Sequence, residues 1–189
     1  MNDVSRALRD LVGIFESLDL AYAVMGGIAV RAYGIPRPTY DVDFTVAIPR
    51  NQLPRLFSTV QARGFAVPEQ YLKGWVDEVS KLPLVKFRLY LQDKGVDVDV
   101  FLAESPYQQE VLKRRRHVEA PDGAVWLVTP EDLILLKMLA YRPRDVADIQ
   151  DVMFTQGQLD ETYLRNWATS LGISDRLVEM LKQQSELRG

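Results

Sequence analysis

Apolar residues recur at helical spacing at the start of the chain, where Leu8, Leu11, Phe15 and Leu18 predict an amphipathic helix over residues 4–18. Ala21 to Met25 then reads as a short buried strand, which Gly26-Gly27 turns into a short helix ending near Gly34. Ile35-Pro36-Arg37-Pro38 must be a loop, because two prolines so close together prevent regular pairing. Alternation returns from Thr39 to Ile48, a strand with Val42, Phe44 and Val46 on one face and Asp41 and Asp43 on the other. Residues 51–63 read as a helix with Pro54 in its first turn, while 68–82 has no decisive period. Strands follow at Leu84 to Leu91 and Val96 to Leu102, about a hairpin turn at Gln92-Asp93-Lys94-Gly95. A helix covers Pro106 to Arg115, and strands at His117 to Ala120 and Ala124 to Val128 bracket a tight turn at Pro121-Asp122-Gly123. Beyond Thr129 the alternation vanishes and helices fill the remainder. The pattern therefore divides the chain into an α/β half, 1–128, and a helical half, 129–189.

Composition narrows the class. The chain has 189 residues, 47% of them hydrophobic, enough for one domain with a real core. Its 23 basic and 26 acidic residues nearly cancel, so there is no global basic field of the kind that drives non-specific DNA binding. With no cysteine and one histidine, disulfides and thiolate metal sites are excluded and a His-based zinc site is disfavoured. The N-terminal stretch carries acids and helical periodicity rather than a basic and then apolar leader, and no apolar run approaches the roughly 20 residues that span a bilayer. A soluble cytoplasmic protein is the expectation.

The candidate chemistry lies in acids placed where acids are uncommon. Aspartate is depleted in strands, yet Asp41-Val42-Asp43 and Asp97-Val98-Asp99 both put paired carboxylates on one strand face. Either pair alone could be the solvated face of an edge strand. If the strands are neighbours, three carboxylates meet and form the oxygen-rich site that magnesium prefers. Asp99 is favoured as the third ligand, since Asp97 lies close to the Gly95 turn; Asp97 is the reserve. Gly26-Gly27 reads as a tight strand-to-helix turn, or as backbone bare enough to approach a phosphate at a helix N-terminus.

Downstream, Thr129-Pro130-Glu131-Asp132 is a helix start with Thr as N-cap and carries no catalytic content. The helix it opens is apolar all round apart from Lys137, which must snorkel outward or meet an anion such as a triphosphate. Asp145 and Asp148 share a helix face near its N-terminus, where the macrodipole accounts for them, and Arg144 could pair with Asp148. Lys113-Arg114-Arg115-Arg116-His117 is the one basic run, read as a solvated helix end in preference to an RNA contact.

Together these residues resemble the minimal nucleotidyltransferases of the DNA polymerase β superfamily, and most of all the AbiE-type abortive-infection and toxin–antitoxin group. The glycine motif falls on Gly26 and Gly27, followed by Ala29. The Arg-x-Thr-x-Asp-x-Asp motif falls on Arg37, Thr39, Asp41 and Asp43, and the third acid on Asp99. The helical Lys with Ala-x-Arg-x-Arg-Asp-x-x-Asp falls on Lys137, Ala140, Arg142, Arg144, Asp145 and Asp148. The glycine motif here departs from the family pattern in lacking the hydroxyl that many members place after the first glycine.

The resemblance implies an α+β fold, a polymerase-β-like mixed sheet with flanking helices followed by a helical C-terminal part. It implies two Mg2+ ions (or Mn2+) held by Asp41, Asp43 and Asp99, and NMP transfer from an NTP to an acceptor hydroxyl on RNA, protein or a small molecule. Gly26, Gly27, Arg37, Thr39 and Lys137 would bind the nucleotide, Lys137 also serving catalysis, and a cognate partner protein is expected of such a system. Two other classes stand beside it: a catalytically silent relative that binds nucleotide or partner, and an RNA-binding module using Arg114 to Arg116.

Overall fold

The computed structural model describes residues 3–72, 75–91, 94–119 and 123–188. Helix α1 (Asp3–Ser17) buries Ala7, Leu8, Leu11, Val12, Ile14 and Phe15, the stripe its periodicity predicts. Strand β1 (Tyr22–Met25) is buried along its length and passes directly into α2 (Gly26–Tyr33). Strand β2 (Asp41–Val46) is shorter than expected, because the chain leaving Pro38 does not join the ladder until Asp41. Helix α3 (Leu53–Ala62) follows a 3-10 turn at Arg50–Gln52, with Pro54 in the first turn as anticipated. The stretch left open between 68 and 82 contains another 3-10 turn, Glu69–Tyr71, and the two-residue strand β4 (Trp75–Val76), after β3 (Phe65–Ala66).

Strands β5 (Pro83–Leu91) and β6 (Lys94–Leu102) pair antiparallel; Gln92 and Asp93 of the expected turn lie outside the described residues. Helix α4 (Pro106–Arg114) opens on a capping box between Ser105 and Gln108. Strands β7 (Arg116–Val118) and β8 (Val125–Leu127) are antiparallel partners; Ala120, Pro121 and Asp122 of the expected strand and turn are outside the described residues. Helices α5 (Pro130–Ala140), α6 (Pro143–Gln156), α7 (Glu161–Ser170) and α8 (Ser174–Arg188) complete the chain.

The sheet order is β3-β5-β6-β2-β1-β8-β7, with β4 also paired to β5. It is mixed: β2 and β6 are parallel, as are β1 and β8, and the remaining pairings are antiparallel. The hydrophobic alternation explains the layering. Val42, Phe44 and Val46 of β2 and Val98, Val100 and Leu102 of β6 are wholly buried on one sheet face, where Phe15 packs edge-on against Phe44 at 5.0 Å. The acids are thereby forced onto the other face. There α5, buried on all sides from Pro130 to Met138, packs between α2 and α6 and walls off the second side of the cleft. No helix among the described residues is long and apolar enough to cross a membrane.

Candidate active site

The parallel pairing of β2 with β6 decides the geometry of the acids. Asp41 stands opposite Asp97 and Asp43 opposite Asp99, so both Asp-Val-Asp segments present their carboxylates on the same face of adjacent strands. Asp41, Asp43 and Asp99 line one cleft of about 210 Å³, together with Gly26, Gly27, Arg37, Lys137, Arg142, Arg144 and Asp145. Asp97 is not on its wall; it is exposed and paired with Arg88 across the hairpin at 2.9 Å.

Two glycines make room for these side chains. Met25 at the end of β1 is registered against Asp43, so the turn at Gly26 falls directly over that carboxylate. A Cβ on Gly26 would lie 1.8 Å from Asp43 Oδ2, and its φ of +61° is one that L side chains rarely adopt. A Cβ on Gly27 would lie 2.4 Å from Thr39 Oγ1. The expectation that these glycines bare the backbone for a phosphate is thus joined by a nearer reason, the seating of Asp43 and Thr39. Thr39 in turn donates its hydroxyl to Asp41 Oδ1 at 2.7 Å.

The three carboxylates are in different electrostatic states. Burial pushes the pKa of Asp43 up to about 7, and the charges of Asp41 and Asp99 push the same way. Burial also raises Asp99, opposed by a 2.9 Å hydrogen bond that Lys86 Nζ donates to its Oδ2. As the side chains stand, no group of three His, Cys, Asp or Glu among the described residues forms a ready cage for a metal ion. In this arrangement Thr39 hydrogen-bonds Asp41 and Lys86 hydrogen-bonds Asp99. The donor set is nevertheless that of a hard cation, three carboxylates on one wall, one of which resists ionising alone.

Of the two sequence readings of Lys137, the structure overturns snorkelling and shows a lysine that meets anions, here carboxylates. It is 8% exposed and its Nζ lies 2.6 Å from Asp148 and 3.0 Å from Asp145. Asp148, 2% exposed, also takes a two-pronged contact from Arg37, whose Nε and Nη2 each donate at 2.6 Å. Desolvation alone would raise the Asp148 carboxyl, but the hydrogen bonds from Arg37 and Lys137 outweigh it and hold the pKa below the ordinary value. Asp145 and Asp148 are therefore more than dipole-favoured acids at a helix start, and Arg144 does not pair with Asp148; it donates to the carbonyl of Pro38. Asp148 of α6 ties Lys137 of α5 to the loop that carries Arg37, and Asp145 adds a second contact to Lys137.

The basic run is corrected in part. Lys113 and Arg116 are exposed, as a solvated end would have them, but Arg114 stacks on Tyr163 at 3.6 Å and lies 3.5 Å from Glu131 and 3.6 Å from Asp132, which is wholly buried. Asp132 also accepts from Tyr163 at 2.6 Å and from Thr129 at 2.7 Å. Arg115 lies over Trp126 at 4.6 Å. Sequence reasoning missed Lys86 as a partner of the site. The sequence pointed to a different partner: the turn expected over residues 92–95 would set Arg88 against Asp99, but Lys94 and Gly95 belong to β6, and that register sets Lys86 against Asp99 and Arg88 against Asp97.

A family model described as the nucleotidyl transferase AbiEii toxin of a type IV toxin–antitoxin system matches residues 7–153. The chain belongs to this family. That span contains every acid and cation of the cleft named above, so the AbiEii match and the site coincide. No curated protein matches the sequence. Among solved structures, an antigenic nucleotidyltransferase-like protein from Paracoccidioides brasiliensis superposes with a TM-score of 0.56 at 22% identity, over 96% of this chain and 93% of that one. ANT(2")-Ia in complex with adenylyl-2"-tobramycin gives 0.56 at 16% identity, over 88% and 97%. The lincosamide antibiotic adenylyltransferase LnuA, lincomycin-bound, gives 0.54 at 12%, over 78% and 94%. At such identities these likenesses concern the fold, the mixed sheet with flanking helices expected from the sequence, and the family match makes the protein a nucleotidyltransferase.

Proposed function

We propose that this AbiEii-family chain transfers an NMP from an NTP to an acceptor hydroxyl in a divalent-metal-dependent reaction, as the toxin of a toxin–antitoxin pair in the cytoplasm. One observation carries the reading: Asp41, Asp43 and Asp99 share a cleft with the cations Arg37, Lys137, Arg142 and Arg144. When bound by these three carboxylates, Mg2+ or Mn2+ would supply the Lewis acidity that neutralises phosphate charge and acidifies the acceptor hydroxyl. The sheet half, 1–128, contributes the three carboxylates and Arg37, and the helical half, 129–189, contributes Lys137, Arg142 and Arg144.

The residues themselves divide the work. The backbone at Gly26 and Gly27, at the N-terminus of α2, faces the triphosphate. Arg142 and Arg144 take its outer oxygens from the rim, and Lys137, held in place by Asp145 and Asp148, presents its charge from within the wall. Arg37 braces the Thr39–Asp43 segment through Asp148, and Thr39 orients Asp41. The acceptor oxygen attacks the α-phosphorus, the bond to pyrophosphate breaks, and Asp99 receives the acceptor's proton. The adenylyl-2"-tobramycin of one structural neighbour and the lincomycin bound to an adenylyltransferase in another support a small molecule among the acceptors.

The test is incubation with α-labelled NTPs and Mg2+ or Mn2+, offering total RNA, a cell protein extract and small-molecule extract in separate reactions. Label should enter one fraction with release of pyrophosphate, and Asp41→Asn with Asp43→Asn should abolish it. Induced expression should arrest growth for the wild type and not for that double variant. Nucleotide binding without transfer to any fraction would return the chain to the silent-relative class.

A further inference from the structure

Lys86 lies on β5, outside the family's motif residues, yet its ammonium is in contact with one of the three acids. Lys86, Asp99 and Asp43 are direct partners across β5, β6 and β2, so all three side chains share the cleft face in one row. Asp99 is the middle member. Strands are about 4.8 Å apart, which puts Lys86 on the far side of Asp99 from Asp43, roughly 10 Å between outer Cα atoms. The ammonium holds Asp99 Oδ2 from that outer side at 2.9 Å, with the pair 36% and 25% exposed. Asp43 lies on the other side of Asp99, and an ion shared by the two would sit on that side. A carboxylate held by one oxygen is restricted in rotamer, and the contact with Lys86 engages only Oδ2.

We propose that Lys86 is the positioning residue of the third carboxylate, aiming Asp99 at the cation shared with Asp43. The inference rests on the metal-dependent reading above. Arg88 supplies an internal comparison. It makes the same cross-strand pair with Asp97, also at 2.9 Å and two residues further along the same strands, but Asp97 is not on the cleft wall.

The experiment titrates Mn2+ into the full chain, alone and with a non-hydrolysable NTP, following free Mn2+ by electron paramagnetic resonance. Lys86→Met, of similar length and without charge, should lower Mn2+ affinity roughly tenfold, the lower end of what loss of an outer-shell partner costs a metal site. Lys86→Arg should restore most of it, and Arg88→Met should leave it within about twofold. Unchanged affinity in Lys86→Met would overturn the proposal, and so would tighter binding, which would make the ammonium a competitor of the cation. An equal loss in Arg88→Met would overturn it too, by showing a general field effect. Lys86→Gln replaces the methionine variant if the latter does not fold. Asp43→Asn separates the two levels: if it binds Mn2+ as the wild type does, the metal reading itself fails. If it loses Mn2+ while Lys86→Met does not, only the role of Lys86 fails.

Discussion

The carboxylate of Asp43 occupies the space that a side chain on Gly26 would need, with Oδ2 1.8 Å from where the Cβ would stand. A turn glycine and a site acid are thus one structural unit, because β1 ends in register with Asp43 and the chain must then reverse over it. Gly26→Ala should displace Asp43 and also strain a backbone at φ +61°. We expect transferase activity to fall at least about 100-fold and stability by about 1–3 kcal/mol. Activity assays alongside thermal melts check this; a melt shift with activity retained would detach the glycine from the site.

Asp43 also makes stability depend on pH in a defined sense. Its folded pKa of about 7 lies above the ordinary 3.8, so the folded state holds the proton more tightly than the unfolded chain. This group's contribution is fully present below pH 4 and is lost as pH rises through 7, by up to about 4 kcal/mol. Denaturant melts of the metal-free protein between pH 5 and 8 should show the decline. Asp43→Asn should flatten it, and divalent cation should restore stability at pH 8 in the wild type only.

Lys137→Met should destabilise the fold by ~3 kcal/mol, since it strips a buried aspartate of one of its two cations. Asp148 has a lowered pKa, so its contribution is present above the unfolded value and is lost as pH falls below about 4. The variant should therefore lose part of the wild type's acid-induced destabilisation. Equilibrium unfolding at pH 3 and pH 7 measures both effects. A variant as stable as the wild type at pH 7 would make Lys137 a ligand cation with no structural share.

Arg114→Met should cost about 2–4 kcal/mol, because Asp132 is wholly buried and loses its guanidinium neighbour. It should leave nucleotidyl transfer unchanged per folded molecule. RNA titrations at several salt concentrations should show no change in slope, since Arg114 is engaged by Tyr163, Glu131 and Asp132. A reduced slope would revive the basic run as an RNA contact.

Much of this molecule was legible along the chain. The alternation in Asp41-Val42-Asp43 and Asp97-Val98-Asp99 put valines inward and acids outward whatever the neighbours, because side-chain direction in a strand is a local property with period two. The all-round apolar run from Leu133 announced a buried helix for the same local reason. What the chain could not state alone was which strands lie side by side. The parallel pairing of β2 and β6 joins residues more than fifty positions apart, and it alone brings Asp99 onto the same cleft wall as Asp43 while leaving Asp97 exposed beside Arg88. The partners of charged groups were equally out of reach: Lys137 and Arg37 meet on Asp148, and Arg114 turns inward to Asp132. Long polar side chains choose among partners by proximity after packing, and proximity across a hundred residues is set by the tertiary fold.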